Sequence, residues 1–263
     1  MISLLTNVWT FVSFDQAVSN VYYGYRLLAV LCVINYISYL VLERILAGIF
    51  PKFNDLTYAE RKYTVKNLSK SCVLLYILIT LSPTIYNIIF NSIWNNERVH
   101  FYGVLYASTD VTGLLLVPNL ASATKVHHIT VWIFATLNMI SNHEINGLHR
   151  ALIVLGFFSV IPYVVNTYLG LRHLDTPYIK NKIVDIALFS YVNSVIANIV
   201  LQHLYVFRWV PHFNIFSLIY ISLYYLILYD DIKLIKYLYH KYRKGEQLVV
   251  ITESPLTDSP LKK

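Results

Sequence analysis

Residues 72–94 have the sequence CVLLYILITLSPTIYNIIFNSIW and decide the fold class of the chain. This segment contains no charged residue. It is about as long as the roughly 20 apolar residues that an α-helix needs to cross the hydrocarbon core of a bilayer. The segment therefore predicts a transmembrane α-helix.

Apolar runs of similar length recur along the chain and are separated by short polar stretches. They predict an all-α fold, a polytopic transmembrane helical bundle with about seven spans, with six as the alternative. The predicted spans are Leu27–Phe50, Cys72–Trp94, Phe101–Leu120, Ser122–Ser141, Ala151–Leu171, Ile183–Leu204 and Phe213–Leu238. We expect three parts: an N-terminal interfacial segment (1–26), the bundle (27–240) and a polar cytoplasmic tail (241–263).

The composition excludes a soluble globular fold. Of the 263 residues, 57% are hydrophobic and only 13% are charged, and the mean hydropathy is +0.54. Soluble domains carry about 25% charged residues, so this chain has too few charges to cover a water-facing surface. The formal net charge of +7 is spread between the apolar runs and forms no basic stripe. Membrane lipids are therefore the predicted partners, and nucleic acid is not.

The basic residues predict the orientation in the membrane. If the connections between the spans alternate between two sides, most lysines and arginines fall on one side. That side holds Lys52, Arg61, Lys62, Lys66, Lys70, Lys125, Arg172, Lys180, Lys182 and the C-terminal tail. The other side holds only Arg26, Arg98, Arg150 and Arg208. Because basic residues collect on the cytoplasmic side, we expect a cytoplasmic C-terminus and an N-terminus outside or in a lumen.

Three polar side chains in the third and fourth runs are the candidates for catalysis. Asp110 lies in the middle of a predicted span, where an ionised carboxylate in lipid costs at least about 2.5–3.5 kcal/mol. It should therefore face the interior of the bundle. His127 and His128 open the next span, so Asp110 is expected to meet His127 across the helix pair. An imidazole oriented in this way suits a general base or a transient acyl carrier. The alternatives are a carboxylate buried for packing and two interfacial histidines.

Metal and cofactor sites are not predicted. Adjacent histidines on a helix point about 100° apart, and two metal ligands on one helix face need the i, i+4 spacing that is absent here. Asn166, Arg172 and Arg208 are candidates for binding a lipid or its head group, although single arginines at span ends commonly reach the interface. In the seven-span topology, Arg172 and Arg208 lie on opposite faces of the membrane.

Five short motifs occur in a characteristic order. They are RKYTVKNLSKS before the second span, Tyr102-Gly103 with Asp110, His127-His128, Pro162…Asn166…Leu171-Arg172, and Phe207-Arg208. Over about residues 55–240, this order resembles the TLC (TRAM–LAG1–CLN8) domain family of membrane proteins. The resemblance implies a helical bundle around a polar-lined cavity, a role in lipid metabolism, lipid sensing or membrane lipid homeostasis, and a location in the endoplasmic reticulum. For an enzyme it implies a lipid acyltransferase with acyl-CoA as co-substrate.

One departure from the family separates this chain from the ceramide synthases. Those enzymes carry a pair of aspartates after the double histidine, whereas the corresponding region here is LHRALIVLGFFSV, with His149 and no aspartate. Lys70, Ser71 and Cys72 also stand where many members have a histidine. The chain is thus more similar to the TLC-domain proteins that are not ceramide synthases.

Two other classes of function are weighed against lipid chemistry. A transporter or channel would be indicated by inverted repeats or by paired broken spans, and neither is visible in the sequence. A non-enzymatic lipid-binding or structural protein would share the same cavity. The basic stretch Lys52–Lys70 could attract phosphates of CoA or anionic head groups, but membrane topology alone also explains it.

Overall fold

The computed structural model describes the backbone of residues 11–174, 177–209 and 215–253, and the side chains within residues 11–174, 182–209 and 215–243. These residues form an all-helical fold, with a single isolated β-bridge between Phe11 and Ser141. The helices are α1 (Phe14–Ile49), α2 (Pro51–Asn54), α3 (Tyr58–Asn91), α4 (Asn96–Leu116), α5 (Ser122–Ile140), α6 (Ala151–Val160), α7 (Tyr163–Leu171), α8 (Pro177–Trp209) and α9 (Ile215–Glu253). A 3₁₀ turn (Leu148–Arg150) precedes α6.

Four helices in the described part of the chain are long and apolar enough to cross a membrane: α1, α3, α8 and α9. A fifth span results if α6, with its preceding turn, and α7 are counted together. The predicted all-α membrane fold is supported, but the predicted number of seven spans is not confirmed. The two helices that fall short are α4 and α5, because each carries ionisable side chains within its apolar sequence, such as Asp110 and His128.

Helices α1 and α3 begin well before the predicted spans Leu27–Phe50 and Cys72–Trp94. Helix α1 starts at Phe14, after Ser13 caps it by accepting a hydrogen bond from the Gln16 amide, so it occupies part of the predicted interfacial segment. Helix α3 starts at Tyr58 behind a capping box in which Thr57 and Glu60 satisfy each other's backbone amides. The basic stretch before residue 72, interpreted above as a connection, is therefore helical.

Prolines set two of the helix boundaries. Helix α4 ends at Leu116, shortly before Pro118 and before the predicted end of the third span at Leu120, because the residue that precedes a proline is disfavoured in a helix. The predicted fifth span is broken at Pro162, where α6 and α7 meet at a bend of 40°. Proline has no backbone N–H to continue the helical hydrogen bonds, which explains the break.

Helix α9 extends into the predicted tail as far as Glu253, while residues 1–10 and 254–263 lie outside the described residues.

Six elements close a ring. Going round it, α3 packs against α4, α4 against α5, α5 against α9, α9 against α8, α8 against the bent α6–α7 pair, and that pair against α3. Helix α1 lies outside the ring and packs on α3, α4 and α5. Helices α4 and α5 have neighbours on several sides, and polar side chains in their middle, such as Asp110 and His128, are buried between them.

The contact between α3 and α7 depends on a glycine. A Cβ atom at Gly170 would lie 2.5 Å from Leu68 Cγ and 3.2 Å from the Thr64 carbonyl oxygen. The two helices therefore approach each other more closely than any larger residue permits.

We expect Gly170→Ala to lower the melting temperature of the detergent-solubilised protein, although alanine is favoured over glycine in a helix by about 1 kcal/mol. The matched control is Gly48→Ala in α1, where a Cβ meets nothing within 4 Å. The control should leave stability unchanged or raise it. Equal melting temperatures for the two variants would contradict the close packing of α3 on α7.

Candidate functional site

A polar cavity of about 500 Å³ lies inside the ring of helices. Its charged and imidazole side chains come from α3, α5, α9 and the residue that follows α7: Lys66, Lys70, His127, His128, Arg172, Asp230, Asp231 and Lys233. Ionisable groups are costly inside a membrane protein and mark functional sites there more often than elsewhere. Their concentration in one cavity makes it the candidate functional site.

Asp110 forms the charged centre behind the cavity wall. The side chain is fully buried and is not among the residues that line the cavity. Its Oδ1 accepts a hydrogen bond from Lys70 Nζ and lies 2.9 Å from His128 Nδ1. Among the described residues, Asp110 Oδ2 has no hydrogen-bond partner. Asp110 therefore neutralises Lys70 and places its carboxylate beside His128 Nδ1, without the geometry of a hydrogen bond to that nitrogen.

His127 has a different carboxylate partner. Its Nδ1 lies 3.0 Å from Asp230 Oδ2 on α9. The structure thus brings Asp110 to His128, not to His127 as the sequence led us to expect. The two imidazole rings are nearly perpendicular, at 89°, with their centroids 5.6 Å apart. Because neighbouring side chains point about 100° apart on a helix, one ring faces α4 and the other faces α9.

Lys66 approaches the second ring nitrogen of His128. Its Nζ lies 3.4 Å from His128 Nε2, and the residue is only 4% exposed. The stem of this lysine passes over Gly113 of α4, where a Cβ atom would lie 3.0 Å from Lys66 Cε. Lys66 and Lys70 are four residues apart on α3 and so share one face of that helix. Because the capping box at Thr57 starts α3 at Tyr58, both lysines are part of the helix and not of a connection between spans.

Aromatic side chains complete the cavity near α7, α8 and α9. Tyr191 donates a hydrogen bond of 2.7 Å to the buried Asp231. Arg172 donates one of 3.0 Å to the Tyr237 hydroxyl, and its guanidinium lies 4.6 Å from the centre of the Tyr63 ring. These contacts hold the charged groups in fixed positions.

A second, apolar cavity of about 100 Å³ adjoins the polar one. Its walls are mainly aliphatic and aromatic side chains of α3 to α6, such as Leu81, Val131, Phe134 and Leu152. Three residues, Tyr106, His127 and Ser159, line both cavities. These three residues therefore stand between the polar and the apolar space.

A metal ion has the ligands it needs but a poor electrostatic environment. One ligand atom each from Asp110, His127 and His128 lies within 4.8 Å of the others. However, the Lys70 ammonium already neutralises Asp110, and Lys66 faces the second nitrogen of His128. A divalent cation would meet two positive charges there. The absence of a metal stays a prediction of the sequence.

The lipid-binding candidates separate into two groups. Asn166 and Arg172 line the polar cavity. Arg208 is exposed near the end of α8 and is not among the residues that line either cavity.

Sequence reasoning missed five charged residues of the site: Lys66 and Lys70 on α3, and Asp230, Asp231 and Lys233 on α9. The two aspartates lie inside the predicted span Phe213–Leu238, so the rule that singled out Asp110 would also have found them. Lys66 and Lys70 were assigned to a connection between spans. Only the capping pattern of Thr57 and Glu60 indicates that α3 starts before them.

Comparison with known proteins returns no match to a family model, a curated protein or a solved structure.

We expect the buried Lys70–Asp110 pair to behave as one unit. Removing one partner of a buried ion pair leaves an uncompensated charge and costs about 3–5 kcal/mol, whereas replacing both partners costs much less. Lys70→Met should therefore destabilise the solubilised protein strongly, and Lys70→Met/Asp110→Asn should recover most of that loss. Denaturant or thermal unfolding measures this.

The control is the pair Lys62–Glu43, which is 2.7 Å long and more exposed. Partly exposed pairs contribute about 0–1 kcal/mol, so Lys62→Met should change stability little. Additive effects of the two changes at Lys70 and Asp110 would show that these residues are not coupled.

Proposed function

We propose that this protein binds one amphipathic lipid within its helix bundle and acts in lipid metabolism, lipid sensing or membrane lipid homeostasis. The observation that carries the proposal is that a polar and an apolar cavity lie side by side and share the lining residues Tyr106, His127 and Ser159. An amphipathic molecule needs such a pair of environments, one for its head group and one for its chain.

The position of the cavities favours a ligand from the membrane. They lie inside a ring of helices, several of which are long and apolar enough to cross a bilayer. Buried charges that line a cavity need hydration or a polar ligand, because leaving them unpaired in an apolar medium is costly. A head group among Lys66, His127 and Asp230 would supply such partners, while the first few methylene groups of its chain would enter the small apolar cavity beside α4 and α6.

The resemblance to TLC-domain proteins belongs to this proposal. A polar-lined cavity inside a helical bundle is what that resemblance implies, and the double histidine lines the cavity here. Asp230 and Asp231 place a pair of carboxylates near the histidines, although they come from α9 and not from the region after the double histidine. A seven-span topology, a cytoplasmic C-terminus and a location in the endoplasmic reticulum are parts of the same proposal.

The test is whether lipid co-purifies with the protein and depends on the apolar cavity. Gly156 lines that cavity, and a Cβ atom there meets nothing within 4 Å, so the side chain of Gly156→Leu should start in open space and occupy part of the cavity. Native mass spectrometry should show a bound lipid on the wild type and several-fold less on Gly156→Leu. Gly48→Leu, on α1 and outside both cavities, should retain the lipid. Equal occupancy of all three proteins would contradict the proposed site.

A second candidate function, acyl transfer, is favoured by the environment of His127. Asp230 beside Nδ1 stabilises the tautomer with its proton on that nitrogen, which leaves Nε2 free to accept a proton. In such a reaction the hydroxyl or amine of the lipid would attack the thioester carbonyl of acyl-CoA and give its proton to His127. The carbon–sulfur bond would break, and the CoA thiolate would take that proton.

This candidate predicts a loss of activity without a loss of fold. In membranes that contain matched amounts of protein, His127→Ala should abolish any lipid product that depends on the wild type, and Asp230→Asn should lower its rate by about 10–100-fold. His203→Ala, whose ring lines neither cavity, is the control. Identical lipid profiles and acyl-CoA turnover in all of these membranes would remove the enzymatic hypothesis and leave lipid binding or sensing.

A further inference from the structure

Lys66 and Lys70 are two buried lysines, four residues apart on one helix, with different partners. Lys70 donates a hydrogen bond to Asp110 and so has a counter-ion. Lys66 has only the imidazole of His128 within hydrogen-bond distance, and among the described residues no carboxylate lies within 4.0 Å of its Nζ. A buried ammonium without a counter-ion is strongly unfavourable, since buried charges are normally paired.

The cavity wall as a whole also carries more positive than negative side chains. Four cationic side chains line it, namely Lys66, Lys70, Arg172 and Lys233, against the two carboxylates Asp230 and Asp231. Asp110 balances Lys70 from behind the wall. Asp230 contacts His127 and Asp231 accepts a hydrogen bond from Tyr191, and among the described residues neither has a lysine or arginine within 4.0 Å. With Asp110 included, four cations face three carboxylates, which leaves one positive charge in excess. Lys66 is the lysine of this set whose nearest polar contact is an uncharged imidazole.

The neighbours of Lys66 leave hydrogen-bond donors of its ammonium available for an anion. His128 Nδ1 faces Asp110, which favours the tautomer with its proton on that nitrogen and leaves the lone pair of Nε2 for Lys66. An ammonium has three N–H donors, so this contact uses one and leaves two for another acceptor. Gly113 leaves the space through which the stem of Lys66 reaches this position.

From this arrangement we infer that the polar cavity selects lipids with an anionic head group, a carboxylate or a phosphate, whose charge is bound by the Lys66 ammonium. The inference rests on the proposed lipid-binding function and adds the chemical class of the head group. Carboxylate and phosphate oxygens form charge-assisted hydrogen bonds with lysine, which are stronger than bonds between neutral groups. Such a ligand gives Lys66 the counter-ion that the protein itself does not provide.

The experiment compares four amphiphiles with the same C18 chain and different head groups. They are oleoyl lysophosphatidate, oleate, monooleoylglycerol and oleylamine, and inorganic phosphate is the fifth probe. Each is titrated into the full-length protein in an uncharged detergent, and dissociation constants are measured by native mass spectrometry. We expect at least one of the two anionic lipids to bind about tenfold or more tightly than the neutral and the cationic lipid.

The variant that tests the role of Lys66 is Lys66→Met, which keeps the length of the side chain and removes its charge. We expect this variant to be at least as stable as the wild type without lipid, because it removes an uncompensated buried charge. Its preference for the anionic lipids should fall to less than about threefold. Lys62→Met, one turn earlier on the same helix and outside the cavity lining, should keep the full preference.

The outcomes separate the two proposals. If the wild type binds all four lipids equally, or binds oleylamine most tightly, the inference is wrong and the lipid site remains. If the anionic preference survives in the stable Lys66→Met protein, Lys66 is not its source and the inference is wrong. If inorganic phosphate binds and no lipid does, the cavity takes a soluble anion, and both proposals are overturned. Binding of no probe at all would also overturn the proposed function, and the inference with it.

Discussion

The buried ion pair between Lys70 and Asp110 constrains the arrangement of the whole site. Two opposite charges inside a helical bundle must meet, because each alone would be expensive to keep in a medium of low dielectric constant. Their contact fixes the rotation of α3 relative to α4. The same carboxylate holds His128, so α5 is tied to the same centre. Once these three helices are fixed, the adjacent positions Lys66 and His127 are turned into the cavity.

The sequence predicts those parts of the structure that depend on the order of apolar and charged residues along the chain. Long runs without charges predict the apolar helices, and a charge within such a run predicts that Asp110 is buried. The pairing of Asp110 with His128 could not be predicted in the same way. A rotation of α5 by one residue, about 100°, would exchange the two histidines, and only the packing of α5 on α4 and α9 determines that rotation.

Lys66 and Lys70 show a second limit of prediction from sequence. A basic stretch next to an apolar run satisfies the positive-inside rule equally well as a loop or as the first turns of a helix. Thr57 and Glu60 decide between these alternatives, since their capping box starts α3 before the lysines. The broken fifth span is similar: Pro162 was visible in the sequence, but whether a transmembrane proline bends or interrupts a helix depends on the neighbours that compensate for the lost hydrogen bond.

Lys66 is the residue whose position the fold alone does not explain. It shares a helix face with Lys70 and is buried to the same degree, yet no carboxylate is built against it in the described part of the chain. A methionine would fill the same volume without the electrostatic cost, so stability alone would favour its replacement. Residues that reduce stability in this way are commonly retained for function. The cavity beside Lys66 is the space from which its missing counter-ion can come, and this connects the energetics of the fold to a ligand.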